Sequence, residues 1–233
     1  MYSYDAIVRY SETHGNETAD AAAVANYFQD CAILESENVG IGIKYLKEHN
    51  RAWFLISWQI EIDRYPRLAE KISVRTWAYD FKGSMGYRNI EIIDEQGERI
   101  ASAASQWSYI DTSTMRPVRI DENVGRAYPL GKKLDMEYAP RKITLPDNME
   151  VIDKCKVMNY QIDSNLHMNN EAYIALALEY TREAADIKSI RAEYKKQFIK
   201  DDIIIVKKVV SDGIYYIAFS DENDNINCIV ELK

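Results

Sequence analysis

The sequence predicts an α+β protein made of two similar halves, each a helix held against a strongly twisted antiparallel sheet. Three observations carry this reading. The order strand, helix, then three or four strands occurs twice, over residues 4–110 and again over 154–232, the signature of an internal duplication. The second helical stretch is apolar nearly all round from Met168, through Tyr173, Ile174, Leu176, Ala177, Leu178 and Tyr180, as a helix enclosed by other structure would be. Between the halves, residues 117–148 show no hydrophobic period and contain Pro129, Pro140 and Pro146 after Pro117, which reads as a connection. The expected division is a first domain over 1–120, a linker over 121–150 and a second domain over 151–233.

Taken in order, residues 4–10 alternate weakly and can form a strand, and polar residues 11–18 with Gly15 form a loop. Thr18 or Asp20 can cap a helix running to about Leu34, kept thin by Ala21, Ala22, Ala23, Ala25 and Ala32 so that it sits close to a sheet. Gly40 and Gly42 mark a turn. Strands are expected over 53–62, 71–79, 85–93 and 99–110, the second of these with Ile72, Val74, Thr76 and Ala78 alternating against Ser73, Arg75 and Trp77. In the second half a strand over 154–160 precedes a polar loop and a helix over 168–183. Strands over 189–198, 203–210, 213–220 and 225–232 follow, separated by the turn-forming runs Lys200-Asp201-Asp202, Ser211-Asp212-Gly213 and Asp221 to Asp224.

Composition narrows the function. A formal charge of −8 and a pI near 5.1 argue against a nucleic-acid partner. No apolar run approaches the roughly 20 residues that span a bilayer, and Met1 leads into YSYDAIVRY without a signal-peptide pattern. Cys31, Cys155 and Cys228 are odd in number and lack metal-ligand spacing, so reduced thiols, a cytoplasmic location and no metal are expected.

With only three histidines in the chain, the one beside Asp163 and Asn165 stands out. Asp163, Asn165 and His167 occupy alternate positions, so an extended segment points all three side chains one way. They arrive just before the apolar helix, whose N-terminal N–H groups offer positive potential to a developing oxyanion. The same residues also suit a polar loop in which Asp and Asn merely cap the helix, and pattern alone leaves both readings open.

Several stretches then carry a resemblance. WQIEIDRYPRLAEKISVRTW, GYRNIEIIDEQGERIASAASQWSYIDTSTMRPVRI, DSNLHMNNEAYIALALEY and AEYKKQF resemble, in this order, the acyl-acyl-carrier-protein (acyl-ACP) thioesterases. The resemblance implies a tandem hot-dog fold and hydrolysis of the thioester that joins a fatty acyl chain to the carrier's phosphopantetheine arm, ending chain elongation. It implies no cofactor, no nucleic-acid or membrane partner, and acyl carrier protein as substrate and partner, and it is compatible with a homodimer.

The family motif D-x-N-x-H-x-N-N maps onto Asp163, Asn165, His167, Asn169 and Asn170. His167 would polarise the attacking water or the thioester, Asn165 would bind substrate or oxyanion, Asp163 would orient its neighbours, and Asn169 and Asn170 would contact substrate. The first half offers only Glu12-Thr13-His14-Gly15-Asn16 at the corresponding place, implying a role in shaping the acyl pocket, with Trp53 and Trp58 as candidate pocket residues. There is one departure. Where the family commonly reads E-Y-R-R-E-C, this chain reads Glu193-Tyr194-Lys195-Lys196-Gln197-Phe198. Gln197 thus stands where the catalytic carboxylate belongs, and an amide can hold a water but cannot take its proton. His167, Asp163, Glu179 or Glu193 then remain as bases, and Phe198 removes any nucleophilic cysteine there. The carrier is acidic, so docking calls for a local basic patch, either Arg64 and Arg67 with Lys71 or Lys132 and Lys133 with Arg141 and Lys142. The readings kept beside this one are an acyl-CoA thioesterase and an acyl-binding hot-dog protein without catalysis.

Overall fold

The structure, a computed structural model, describes residues 1–13, 15–181 and 187–233. The chain divides into two compact units, the first comprising Met1–Ile56 and Ile60–Tyr138, the second Ser57–Gln59 and Ala139–Lys233.

The first unit contains β1 (Tyr2–Ile7), α1 (Ala21–Asn38), α2 (Ile43–Glu48), β2 (Arg51–Ile62), β3 (Lys71–Lys82), β4 (Met85–Asp94), β5 (Arg99–Asp111), the short β6 (Arg116–Pro117) and α3 (Glu122–Ala127). Its strands run in the order β1-β3-β4-β5-β2. The expected helix begins where its cap was expected: Asp20 Oδ1 accepts the Ala23 N–H at 2.7 Å. It then runs four residues past Leu34. Its alanines, with Val24, Phe28 and Cys31, are buried, and the Cys31 thiol lies 3.5 Å from the Val74 carbonyl of β3. One charged pair is enclosed with them. Arg88 of β4 is hydrogen-bonded to Glu35 of α1 and lies 3.1 Å from Thr76 Oγ1, with Tyr128 beneath its guanidinium. Two charges removed from water together in this way hold each other in place.

Residues 129–138, part of the aperiodic stretch, are fastened to this unit by single polar groups rather than by a regular element. Trp77 Nε1 donates to the Lys132 carbonyl at 2.8 Å, and Gly131 N donates to the Ala78 carbonyl at 2.8 Å. The buried Asn89 Oδ1 accepts from Leu134 N and Tyr138 Oη, both at 3.0 Å. The six-residue helices α2 and α3 are too short to show a hydrophobic period and were not expected from the sequence.

The second unit contains β7 (Glu150–Lys156), α4 (Asn170–Glu179), β8 (Ser189–Tyr194), β9 (Ile203–Ser211), β10 (Ile214–Ser220) and β11 (Ile226–Leu232), in the order β7-β9-β10-β11-β8. That is the first unit's order, strand for strand. Tyr173 of α4 sits at the centre of its core, with the rings of Tyr194, Phe198 and Phe219 at 5.6, 6.1 and 6.0 Å. Three expectations change here. The strand expected over 154–160 is seen over Glu150–Lys156, with a 3-10 turn over Asn159–Gln161. The helix was expected over 168–183 and is seen over Asn170–Glu179, residues 182–186 lying outside the described ones. The strand expected over 189–198 ends at Tyr194, because the Asn227 carbonyl takes the N–H groups of both Lys195 and Lys196, at 2.8 and 3.1 Å, and bends the chain.

The duplication extends to individual hydrogen bonds. In the first unit a 3-10 turn over Tyr10–Glu12 is closed by Glu12 accepting from Arg9 N, and in the second the turn over Asn159–Gln161 is closed by Gln161 accepting from Met158 N. The bridges Thr13↔Ala19 and Thr18↔Arg67 match Ile162↔Met168 and His167↔Ile199. Even the left-handed residues agree, Glu17 with Leu166 and Ala69 with Asp201. Each unit is therefore one hot-dog, a helix wrapped by an antiparallel sheet, and the chain is a tandem of two. No helix among the described residues is long and apolar enough to cross a membrane.

Candidate active site

Asp163 builds the loop in front of α4. Its Oδ1 accepts from Asn165 N at 2.8 Å and from His167 N at 3.2 Å. Its own N–H donates to the His167 carbonyl at 2.8 Å, and its carbonyl accepts from Leu166 N at 3.1 Å. An aspartate that accepts from the backbone two residues on is the usual maker of such a turn, and this one forces Leu166 into the left-handed region at φ 65°. Asn165 is left exposed at the tip while His167 is half-buried with its Nδ1 shielded from solvent. The helix-capping reading of the motif is not what the structure shows: Asn169 occupies the cap position of α4 without a side-chain capping bond, whereas Asp20 makes one for α1.

After the loop the chain pairs briefly with residues 197–199. His167 bridges Ile199, and Met168 N donates to the Phe198 carbonyl at 2.8 Å. Continuing that antiparallel register sets Asn169 opposite Gln197. Met168 and Phe198 are each 1% exposed and face the core, so alternation turns His167, Asn169 and Gln197 to the other side. On this register Gln197 falls opposite Asn169, two residues past His167. The structure removes two alternatives. Glu193 is buried, accepts from Ile143 N at 3.0 Å and has Arg141 at 3.6 Å, while the bend at Lys195 and Lys196 breaks its alternation with Gln197. Glu179 is exposed at the far end of α4. Burial pushes the thiols of Cys155 and Cys228 up and that of Cys31 to about 12, which disfavours their thiolates.

The first-half counterpart is displaced from where the sequence placed it. The matched turns align Asp163 with position 14, which lies outside the described residues, Asn165 with Asn16, His167 with Thr18, and Asn169 with Asp20. Thr18 Oγ1 donates to Asn16 Oδ1 at 2.8 Å. A hydroxyl of this kind has no basicity at neutral pH, so the position that matches His167 carries no acid–base group in the first loop.

Of the remaining candidates, Trp58 is 2% exposed. Trp53 lies among Phe81, Tyr109 and a cluster that includes Leu46, Val124 and Tyr128. Arg64 is held between Glu70 at 2.7 Å and Asp94 at 2.7 Å, which answer its charge within the chain, while Arg67 is exposed. Lys132 and Lys133 are exposed as well, and the Lys133 ammonium stands 3.6 Å from the centre of the Tyr138 ring. Asn170 opens α4, its carbonyl accepting from Tyr194 Oη at 2.8 Å. Sequence reasoning missed Tyr173, whose hydroxyl accepts the Phe198 N–H at 3.0 Å. The available signal was a tyrosine in an otherwise apolar helix, because a buried hydroxyl needs a partner.

Two hot-dog units, one of which carries an Asp-Asn-His loop at its helix start, define a tandem hot-dog protein. The comparisons with known proteins narrow this. The family model described as "Acyl-ACP thioesterase N-terminal domain" matches residues 1–128, and the chain belongs to the acyl-ACP thioesterase family. It is 25% identical over 231 residues to a palmitoyl-acyl carrier protein thioesterase of Gossypium hirsutum, covering 91% of this chain and 56% of the relative. It is 26% identical over 227 residues to an oleoyl-acyl carrier protein thioesterase of Arabidopsis thaliana, covering 87% of this chain and 61% of the relative. The chain therefore spans less than two thirds of the length of these relatives. In structure it resembles an acyl-ACP thioesterase from Bacteroides thetaiotaomicron, with a TM-score of 0.89 at 23% identity over 99% of this chain and 96% of the other, which supports the fold.

Proposed function

We propose that the protein hydrolyses fatty acyl-ACP to free fatty acid and the carrier thiol, so ending chain elongation, and that it does so in the cytoplasm. The observation that supports this reading is the Asp163-built loop, which carries Asn165 and His167 before α4 and pairs with the 197–199 segment through His167 and Ile199. In the proposed reaction a water held by Gln197 attacks the thioester carbon and His167 takes its proton. Asn165, with the N–H groups at the start of α4, holds the resulting oxyanion. Collapse breaks the carbon–sulfur bond, and His167 returns the proton to the departing thiolate. Asp163 acts through the loop it shapes. Asn169 and Asn170 are assigned to substrate binding, and Trp53 and Trp58 to acyl contacts, each within its own unit.

Gln197 favours a second reading, an acyl-binding protein with little turnover, since the amide cannot act as a base. An acyl-CoA thioesterase remains the nearest enzymatic rival. Hydrolysis measured over acyl-ACP and acyl-CoA substrates of several chain lengths separates the three. Turnover on acyl-ACP exceeding that on acyl-CoA is expected; bound acyl ligand without turnover would replace the hydrolase by the binding protein.

A further inference from the structure

We propose that Tyr173 is the positioning residue of this site, its buried hydroxyl fixing the 197–199 segment against His167. The inference rests on the reading of the Asn165–His167–Gln197 loop as the active site and adds a residue that this reading does not contain. The Phe198 peptide is held at both ends: its carbonyl accepts from Met168 N at 2.8 Å, and its N–H donates to Tyr173 Oη at 3.0 Å. Phe198 and Tyr173 are each 1% exposed, so no water replaces the hydroxyl if it is removed. Residues 195–199 have left strand β8, and between the bonds of Lys196 N to Asn227 and of Ile199 N to Asp202 the two bonds at Phe198 are what hold the chain next to Gln197.

The duplication supplies the control. At the matched position of the first unit, Ala19 N donates to the carbonyl of Pro66 at 2.9 Å, as Met168 N does to that of Phe198. Arg67 N donates to Glu70 at 2.8 Å, as Ile199 N does to Asp202 at 2.9 Å. Proline has no N–H, and the helix residue that matches Tyr173, four past the cap in each helix, is Val24, which is fully buried and carries no hydroxyl. The unit whose loop has Thr18 thus has Pro66 with Val24, and the unit whose loop has His167 has Phe198 with Tyr173. The hydroxyl and the N–H it receives occur together, in the unit that holds His167.

Tyr173→Phe keeps the ring and leaves the Phe198 N–H buried without an acceptor, which the segment relieves by shifting. The expected result is a fall in kcat of tenfold or more on acyl-ACP with KM within twofold of the parent. The His167 ring resonances, assigned by their loss in His167→Ala, should be displaced while those of His49 stay in place. A lowered melting temperature with kcat or the His167 resonances as in the parent makes Tyr173 a core residue only and overturns the proposal. The two readings fail differently. If His167→Ala still turns over, or the parent turns over no thioester at all, the hydrolase site is wrong, and displacement of the His167 resonances in Tyr173→Phe alone decides the positioning role.

Discussion

At the scale of the residue, the motif divides into a part that shapes and a part that reacts. Asp163 Oδ1 accepts from two backbone N–H groups, and His167 is the proposed proton carrier of the loop. A positioned acid–base group contributes about 10²–10⁴-fold, roughly 3–5 kcal/mol of barrier, so His167→Ala should lower kcat by at least about a hundredfold at unchanged folding. Removing one oxyanion donor costs about 10²–10³-fold, and Asn165→Ala should show it in steady-state rates. Gln197→Glu installs a carboxylate in the same register. Its rate should equal or exceed that of the parent and climb with pH as the new group loses its proton, near pH 4.3 for an unperturbed glutamate; a pH–rate profile of the two proteins checks this. The grouping of Asp163, Asn165 and His167 was legible in the sequence because the three are local, but the extended alternation expected of them gives way to the turn that Asp163 closes, with Leu166 left-handed. Gln197 reached the site only through the resemblance, since nothing local in AEYKKQF announces a bend after Tyr194. Tyr173 stayed hidden because an aromatic in an apolar helix reads as bulk until its hydroxyl's partner is seen.

At the scale of the element, the long strands and both long helices were readable because each is long enough to display its period and its turn residues. Asp20 was legible as a cap for the same reason: its role is decided within three residues. The segment over 129–138 was not, because it is organised by Trp77 and Asn89, which precede it by tens of residues. It yields a sharp test. A Cβ at Gly131 would lie 2.3 Å from Trp77 Cδ1, so Gly131→Ala should lose about 1–3 kcal/mol, as overpacked sites do, in a denaturant titration. The Arg64 cluster gives another. The hydrogen bond from Arg64 holds the Asp94 carboxyl below its ordinary value; at Glu70 burial pushes upward, but the bonds from Arg64 and Arg67 N prevail and its value is also lowered. Carboxyls depressed in the folded state add stability above their unfolded values, about 4, and that stability is lost as pH falls through the folded ones. Arg64→Ala should therefore destabilise the protein at pH 7 and much less at pH 3, read from melting temperatures at the two pH values.

At the scale of the whole molecule, a chain of net charge −8 is proposed to receive an acidic carrier, so local charge must overcome a repulsive field. Exposed charges act over a screening length of about 8 Å at physiological ionic strength, which makes a few unanswered cations near the contact outweigh distant carboxylates. The two sets proposed from sequence differ in this respect. Arg64 is neutralised by Glu70 and Asp94, and reversing it to Glu would set three carboxylates together and harm the fold instead of the docking. Arg67, Lys132 and Lys133 are exposed and can be reversed without opening an ion pair to an acid among the described residues. Arg67→Glu, and separately Lys132→Glu with Lys133→Glu, should raise KM for acyl-ACP while leaving hydrolysis of a small acyl thioester unchanged, and the penalty should shrink as salt is added. Because steering acts on encounter more than on chemistry, kcat should stay near that of the parent. Equal losses on both substrates, or a penalty indifferent to salt, would mean that these cations support the fold and that the carrier docks elsewhere.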